Sequence, residues 1–315
     1  MKPTVIQLPD VQANVPTISI HLTRVGVTDV KKMIEIKRNN KRPIILISTF
    51  DIFVDLPSDR KGANLSRSFE AMDEVIEMAV KMPTYGIERI CSDIARSLLI
   101  RHEYASKAEV HLKSEYVVMK KSPITQMNCQ EVVDIFAKSS AIRNIDKSVI
   151  IRKTIGAKVV GMTACPCAQE IMRDKAMKKL ESLNVEDSII TDFLHDVPMA
   201  THNQRGIGIV SIEVDDDSIV PVDDIISVIE NSMSSCVYEL LKRSDEKFVV
   251  ETAHKNPKFV EDCVRTMAKN IVNKFKDLPD ESVISIKQIN EESIHRHNAF
   301  AERTAILSEL KEEIY

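Results

Sequence analysis

Apolar residues recur every three or four positions at Phe69, Met72, Val75, Ile76, Ala79 and Val80, and again at Ile87, Ile90, Cys91, Ile94 and Leu98. That period puts one face of each segment on a single side of a helix, so two consecutive amphipathic helices are predicted. Residues 18–25 and 43–54, ahead of them, read as strands. Behind them Ala108, Val110 and Leu112 alternate with Glu109, His111 and Lys113. Strict alternation marks a strand with one buried and one solvated face. Residues 130–136 read as its partner.

The second half repeats this order. Residues 149–160 and 206–214 are strand-like, a helix carries Ile225, Ile226, Ile229 and Met233, and Pro221 and Asp223 stand near its start. A further helix carries Phe259, Cys263, Met267 and Ile271, four apart throughout. Strands near 283–289 and 299–306 close the unit. The scheme is strand-strand-helix-helix-strand-strand, twice, which gives an α+β chain of two tandem units, 1–145 and 146–315. A long insertion, 165–205, separates the first two strands of the second half. Ile171, Met172, Ala176, Met177, Leu180 and Leu183 give it an amphipathic helix, followed by a loop with histidines and a proline. An insertion of that size is functional or disordered, and its periodic helix favours function.

Composition narrows the picture. Aromatics make up 4% of the 315 residues and Trp is absent, so the core must rest on Ile, Val, Leu and Met, and a stacking platform for single-stranded nucleic acid is excluded. A net charge of −4 offers no basic field for long nucleic acid, although local Lys/Arg clusters can hold one triphosphate. No apolar run approaches the ~18 residues of a membrane span. Residues 1–16 lack the apolar core of a secretory leader. The chain therefore reads as cytoplasmic, and its six cysteines (91, 129, 165, 167, 236, 263) as thiols, so that a special one is a ligand or a nucleophile.

Three stretches carry candidate chemistry. Cys165-Pro166-Cys167-Ala168-Gln169 places two thiols at a strand end before a helix. A thiolate there gains from the helix's free N–H groups and partial positive charge; equally, such a pair can be two small core residues. Thr201-His202-Asn203-Gln204-Arg205 lies on a loop entering a strand. A lone loop histidine is more often solvated, but the planar fork of Arg205 suits carboxylate or phosphate. The third stretch runs from Cys236 through Lys242, Arg243, Asp245 and Glu246 to Glu251 and His254. Cys236 can be a core residue, Glu251 a solvated cap, and Lys242-Arg243 an ordinary charged helix end whose cations favour the C-terminal side of the dipole. Asp215-Asp216-Asp217 reads as a solvated turn, and Cys91 and Cys263 as core.

Together, Cys165-Pro166-Cys167, His202-Asn203-Gln204-Arg205, Leu240-Leu241-Lys242-Arg243-x-Asp245-Glu246-Lys247 and Asn256-Pro257-x-Phe259-Val260-Glu261-Asp262 resemble the type IB GTP cyclohydrolases and their archaeal branch. Asp59-x-Lys61-Gly62 and Ser66-Arg67 extend the resemblance over nearly the whole chain. The resemblance implies the tunnelling fold, in which antiparallel sheets backed by paired helices assemble into oligomeric barrels with active sites between subunits. It implies GTP as substrate, a homo-oligomer (dimer or tetramer), and one divalent metal per subunit: Fe2+ in the archaeal branch, with Zn2+ or Mn2+ as alternatives. Archaeal members make 7,8-dihydroneopterin 2′,3′-cyclic phosphate toward methanopterin; bacterial relatives make dihydroneopterin triphosphate for folate.

Carried over residue by residue, Cys165 and His202 match the family's metal-binding Cys and His, and Glu251 matches the glutamate that anchors the purine edge. Cys236 stands where bacterial relatives place a metal-binding Glu, which suggests a Cys165/His202/Cys236 set whose softness suits Zn2+ as well as Fe2+. Asn64 stands where many of them have His. Arg205, Lys242 and Arg243 are candidates for the phosphate chain, and His254, His295 and His297 for proton movement. Two other readings remain at this stage. A nitrile reductase of the queuosine type would use the Cys as nucleophile with NADPH, and a non-catalytic metal- or nucleotide-binding module would do no chemistry.

Overall fold

A computed structural model describes residues 10–38, 41–81 and 86–315. Most of the stretch read for a secretory leader, residues 1–9, lies outside the described residues. The chain divides into two compact units that alternate along the sequence. The first comprises Met1–Ser114, Phe136–Ile155 and Asp215–Asp217; the second comprises Glu115–Ile135, Gly156–Val214 and Ser218–Tyr315. Residue 145, the expected join, falls inside the first of these.

In the first unit, β1 (Leu22–Arg38) and β2 (Lys41–Leu56) form an antiparallel hairpin whose register runs from Leu22↔Leu56 to Arg38↔Lys41. The helices α1 (Leu65–Lys81) and α2 (Ile87–Arg101) follow, then β3 (Lys107–Lys121), β4 (Asn128–Arg143) and β5 (Val149–Ala164), which give residues to both units. β2 pairs antiparallel with β3 from Ser48↔Ser114 to Val54↔Ala108. Alternation buries Phe50, Ile52 and Val54 of β2 with Val110 and Leu112 of β3, together with Met72 of α1 and Ile90, Ile94 and Leu98 of α2. Each such side chain contributes about 1.5–3 kcal/mol when withdrawn from water. Ile45 and Ile47 point the other way and are exposed. The close β1–β2 approach needs glycine at one point: a Cβ on Gly26 would meet the Ile52 carbonyl oxygen at 1.8 Å.

The second unit continues with α3 (Pro166–Ser182), α4 (Asp187–Asp196), β6 (Asn203–Asp215), α5 (Val222–Glu230), β7 (Ser235–Cys236), α6 (Arg243–Lys255), α7 (Val260–Lys274), β8 (Val283–Asn290), β9 (Ala299–Ile306) and α8 (Leu307–Ile314). Its strands run in the order β3-β4-β5-β6-β8-β9, with β7 added to β5. The β6–β8 and β8–β9 pairs are antiparallel. Ile225 and Ile229 of α5, Met267 and Ile271 of α7, and Val210, Ile212, Ile284 and Ile286 of the strands make its core.

Several elements depart from the sequence pattern. β1 starts at Leu22 and runs far beyond residue 25, because Lys31 and Lys32 are tolerated on a two-stranded hairpin with a solvated side. α4, α6 and α8 were not expected: α4 hides in the histidine-containing loop with only Ile190 and Leu194 buried, and α6 buries only Asp245, Val249 and Ala253, so neither has a broad apolar stripe. α3 forms where expected but buries none of its residues; Ile171, Met172 and Leu183 are left exposed.

Candidate active site

Cys165 is the N-cap of α3. It is extended at φ −76° and ψ 118°, its sulfur accepts the Ala168 N–H at 3.5 Å, and Pro166 follows with the φ a first helical residue needs. The two ends of the insertion meet at this cap. The Cys165 N–H donates to the His202 carbonyl at 3.1 Å, and the Thr201 hydroxyl donates to the Cys165 carbonyl at 2.8 Å. Gln169, one turn into α3, donates its amide to the carbonyls of Met199 at 2.8 Å and His254 at 2.6 Å. His254 in turn lies between the carbonyls of Val250 (2.9 Å) and Thr201 (3.4 Å), as a tie holding the loop.

These bonds bring the Cys165 thiol and the His202 imidazole to one cavity of about 260 Å3. Gln204, Lys258, Glu292, His295 and His297 also line it. The rings of His295 and His297 stack at 5.1 Å. His202 Nδ1 lies 3.0 Å from Gln204 Oε1 and 3.8 Å from Glu292 Oε2. Lys258 donates to the Ser232 carbonyl at 3.0 Å, and burial lowers its pKa from the ordinary lysine value. Glu292 and Gln204 escaped the sequence reading, although Glu292 begins a run, Glu292-x-x-His295-x-His297, whose spacing marked it out.

The remaining expected site residues lie elsewhere. Cys236 does not line the cavity. β7 pairs it with Gly161 of β5, and its thiol points to the Glu230 carbonyl at 3.8 Å. Burial, reinforced by the Glu230 carboxylate, raises its pKa. The Cys165/His202/Cys236 grouping is therefore not what this cavity assembles. Among the described residues, no three His, Cys, Asp or Glu side chains converge closely enough to hold a metal ion by themselves. Glu251 stands half-exposed on α6 beside Lys247 at 3.7 Å. Arg205 is exposed on β6 while Gln204 and Gly206 on either side are buried. Lys242 and Arg243 are exposed at the start of α6, not at a helix C-terminus; Asp245 and Glu246 in the first turn offset their charge there.

A thiol at a helix N-terminus, an imidazole and further imidazole and carboxylate groups gather around one cavity, side chains of the kinds from which hydrolytic and metal-assisted sites are built. The chain belongs to the family of type I GTP cyclohydrolases (folE2), which it matches over residues 8–301. Its relatives include the GTP cyclohydrolase MptA of Methanococcoides burtonii, 64% identical with 100% of this chain and 99% of that protein covered. The MptA of Methanosarcina acetivorans is 66% identical over the same shares. A uricase from Bacillus fastidious aligns with 92% of this chain and 95% of its own at 10% identity and a TM-score of 0.45. No described helix is long and apolar enough to cross a membrane.

Proposed function

We propose that the protein opens the imidazole ring of GTP at C8, releasing formate, and that the α-phosphate closes onto the ribose-derived hydroxyls with loss of diphosphate, giving 7,8-dihydroneopterin 2′,3′-cyclic phosphate on the way to methanopterin. The observation that carries this reading is the pairing of Cys165 and His202 across the neck of the insertion, with both side chains at one cavity. Thiolate and neutral imidazole are a donor pair suited to a divalent first-row ion, Fe2+ in this proposal, with Zn2+ or Mn2+ as substitutes. One imidazole of the His295/His297 pair, which shares the cavity, is proposed as the third donor in place of Cys236, which does not line it. Such an ion supplies an acidified water at neutral pH.

The chain's own groups do the rest. Freeing C8 as formate uses two waters and cuts its bonds to N7 and N9. The imidazole of the His295/His297 pair left free of metal is proposed as the base that carries the protons this requires. Lys258, at the cavity wall, offers a cation to the triphosphate, with Arg205, Lys242 and Arg243 proposed for its outer charges. Glu251 is proposed to accept hydrogen bonds from the guanine N–H groups, which rejects bases lacking those donors. Because Glu251 does not line its own chain's cavity, it is proposed to serve a site completed across a homo-oligomer whose subunits close into a barrel. The exposed apolar positions of α3 and α4, Ile171, Met172 and Phe193 among them, support such an assembly. Six unpaired thiols fit a cytoplasmic enzyme.

The test is product identification by mass after anaerobic incubation with GTP and Fe2+. Formate with the cyclic phosphate is the expected result; intact dihydroneopterin triphosphate would overturn the product assignment. Unchanged formate release by Cys165→Ser would overturn the site.

A further inference from the structure

Gln204 lies under the site, buried, with each end of its amide engaged. The amide nitrogen donates to the Thr163 hydroxyl at 3.1 Å and to Glu292 Oε1 at 3.4 Å. The amide oxygen lies 3.0 Å from His202 Nδ1. A carboxylate accepts and does not donate, so Glu292 draws the NH2 end of the amide to its own side. The C=O end is left facing the imidazole. A carbonyl oxygen also only accepts, so the nitrogen opposite it carries the proton. Among the described residues, no hydrogen bond engages His202 Nε2.

Thr163 is fully buried. On the neighbouring strand position, Gln288 Nε2 occupies the space a Cβ on Gly206 would need, at 2.5 Å, and donates to Asn290 Oδ1 at 2.9 Å. Thr163, Gln204, Gln288 and Asn290 are buried polar groups at this end of the strands, Gln204 and Asn290 on the cavity wall. An acceptor on one imidazole nitrogen both orients the ring and raises the basicity of the other nitrogen.

We propose that Gln204 is a positioning residue that fixes the tautomer of His202, keeping the proton on Nδ1 and presenting the Nε2 lone pair to the cavity, and that Glu292 sets which way the Gln204 amide faces. The direction of two hydrogen bonds is enough to carry this from the Glu292 carboxylate to a ring nitrogen of His202. The proposal rests on the reading of His202 as a metal donor for its purpose, though not for its geometry.

The experiment uses the full chain labelled with 15N-histidine and freed of metal by chelation, with the His202 signals identified by their loss in His202→Asn. The expected wild-type pattern is a protonated Nδ1 and a bare Nε2. Gln204→Leu, which removes the acceptor, is expected to move His202 toward the Nε2–H form and to weaken Co2+ binding about 10- to 100-fold in a chelator competition. Gln204→Glu keeps an acceptor opposite Nδ1 and is expected to keep the wild-type tautomer. An Nε2–H pattern in the wild type, or an unchanged pattern in Gln204→Leu, would overturn the proposal. Equal Co2+ binding by wild type and His202→Asn would sink the metal reading instead, while the nitrogen signals would still decide the role of Gln204.

Discussion

Asp245 holds Thr125 by three bonds at once with its neighbour: Oδ1 accepts the N–H groups of Ile124 and Thr125, each at 2.8 Å, and Oδ2 accepts the Thr125 hydroxyl at 2.6 Å. Oδ2 also takes the Lys242 N–H at 2.9 Å, so the same carboxylate caps α6. Its burial would raise the pKa, but the bonds from Thr125, Lys242 and Ile124 outweigh that and hold it well below the ordinary carboxylate range. A depressed carboxylate stabilises above its unfolded value of about 3.9, and this is lost as the pH falls through the lower folded value. Asp245→Asn is therefore expected to lower the midpoint of urea unfolding at pH 7. The gap should close in strong acid; a gap that persists there would contradict this account.

Glu88 shows the opposite sign. Burial, the largest influence, raises its pKa to about 7 against weaker opposing effects of its own backbone N–H, Lys153 and Arg89. The folded chain then holds a proton that the unfolded chain releases near 4.3, so stability falls as the pH rises from about 4.3 to about 7. Glu88→Gln, which stays neutral, is expected to match the wild type near pH 4 and to exceed its Tm at pH 8. Parallel pH profiles for the two proteins would refute it.

Removal of metal is expected to abolish formate release, and Fe2+ added anaerobically to restore it. His202→Asn should lose at least about 100-fold in kcat/KM while folding normally, as expected for loss of a donor rather than of its support. Full activity in a chelated sample, checked by elemental analysis, would remove the metal from the mechanism.

Cys165→Ser and Glu251→Gln are each expected to be nearly inactive as pure assemblies. If sites are shared between subunits, co-expressed mixtures regain part of the wild-type rate, because some sites then draw intact residues from two chains. Mixed assemblies as inactive as either parent would confine the site to one chain.

Gly26→Ala drives a methyl group into the Ile52 carbonyl, a backbone atom that cannot swing aside. The expected cost is about 1–3 kcal/mol, seen as a lower unfolding midpoint with no change in KM.

Much of the fold was legible because burial imposes a period. Cys263, Met267 and Ile271 are fully buried, and their spacing of four announced α7. α6 was not legible, since its buried positions are Asp245, Val249 and Ala253, and a buried aspartate reads as surface until its partners are known. Cys165 and His202 could be paired through the order of their motifs. Their contact runs through backbone atoms, which no side-chain pattern displays. Cys236 was placed by correspondence with relatives, whereas its surroundings follow from a two-residue pairing with β5 too short to leave a periodic trace. Gln204 stood in view inside a motif, but a glutamine's role depends on which end of its amide faces a neighbour.

The insertion is tied off at its base, where Cys165 and Thr201–His202 exchange hydrogen bonds while α3 beyond buries nothing. It therefore behaves like a drawstring pouch: the outer face of α3 can change which neighbouring subunit surface it suits without slackening the knot, provided Gln169 and the two tied ends are kept.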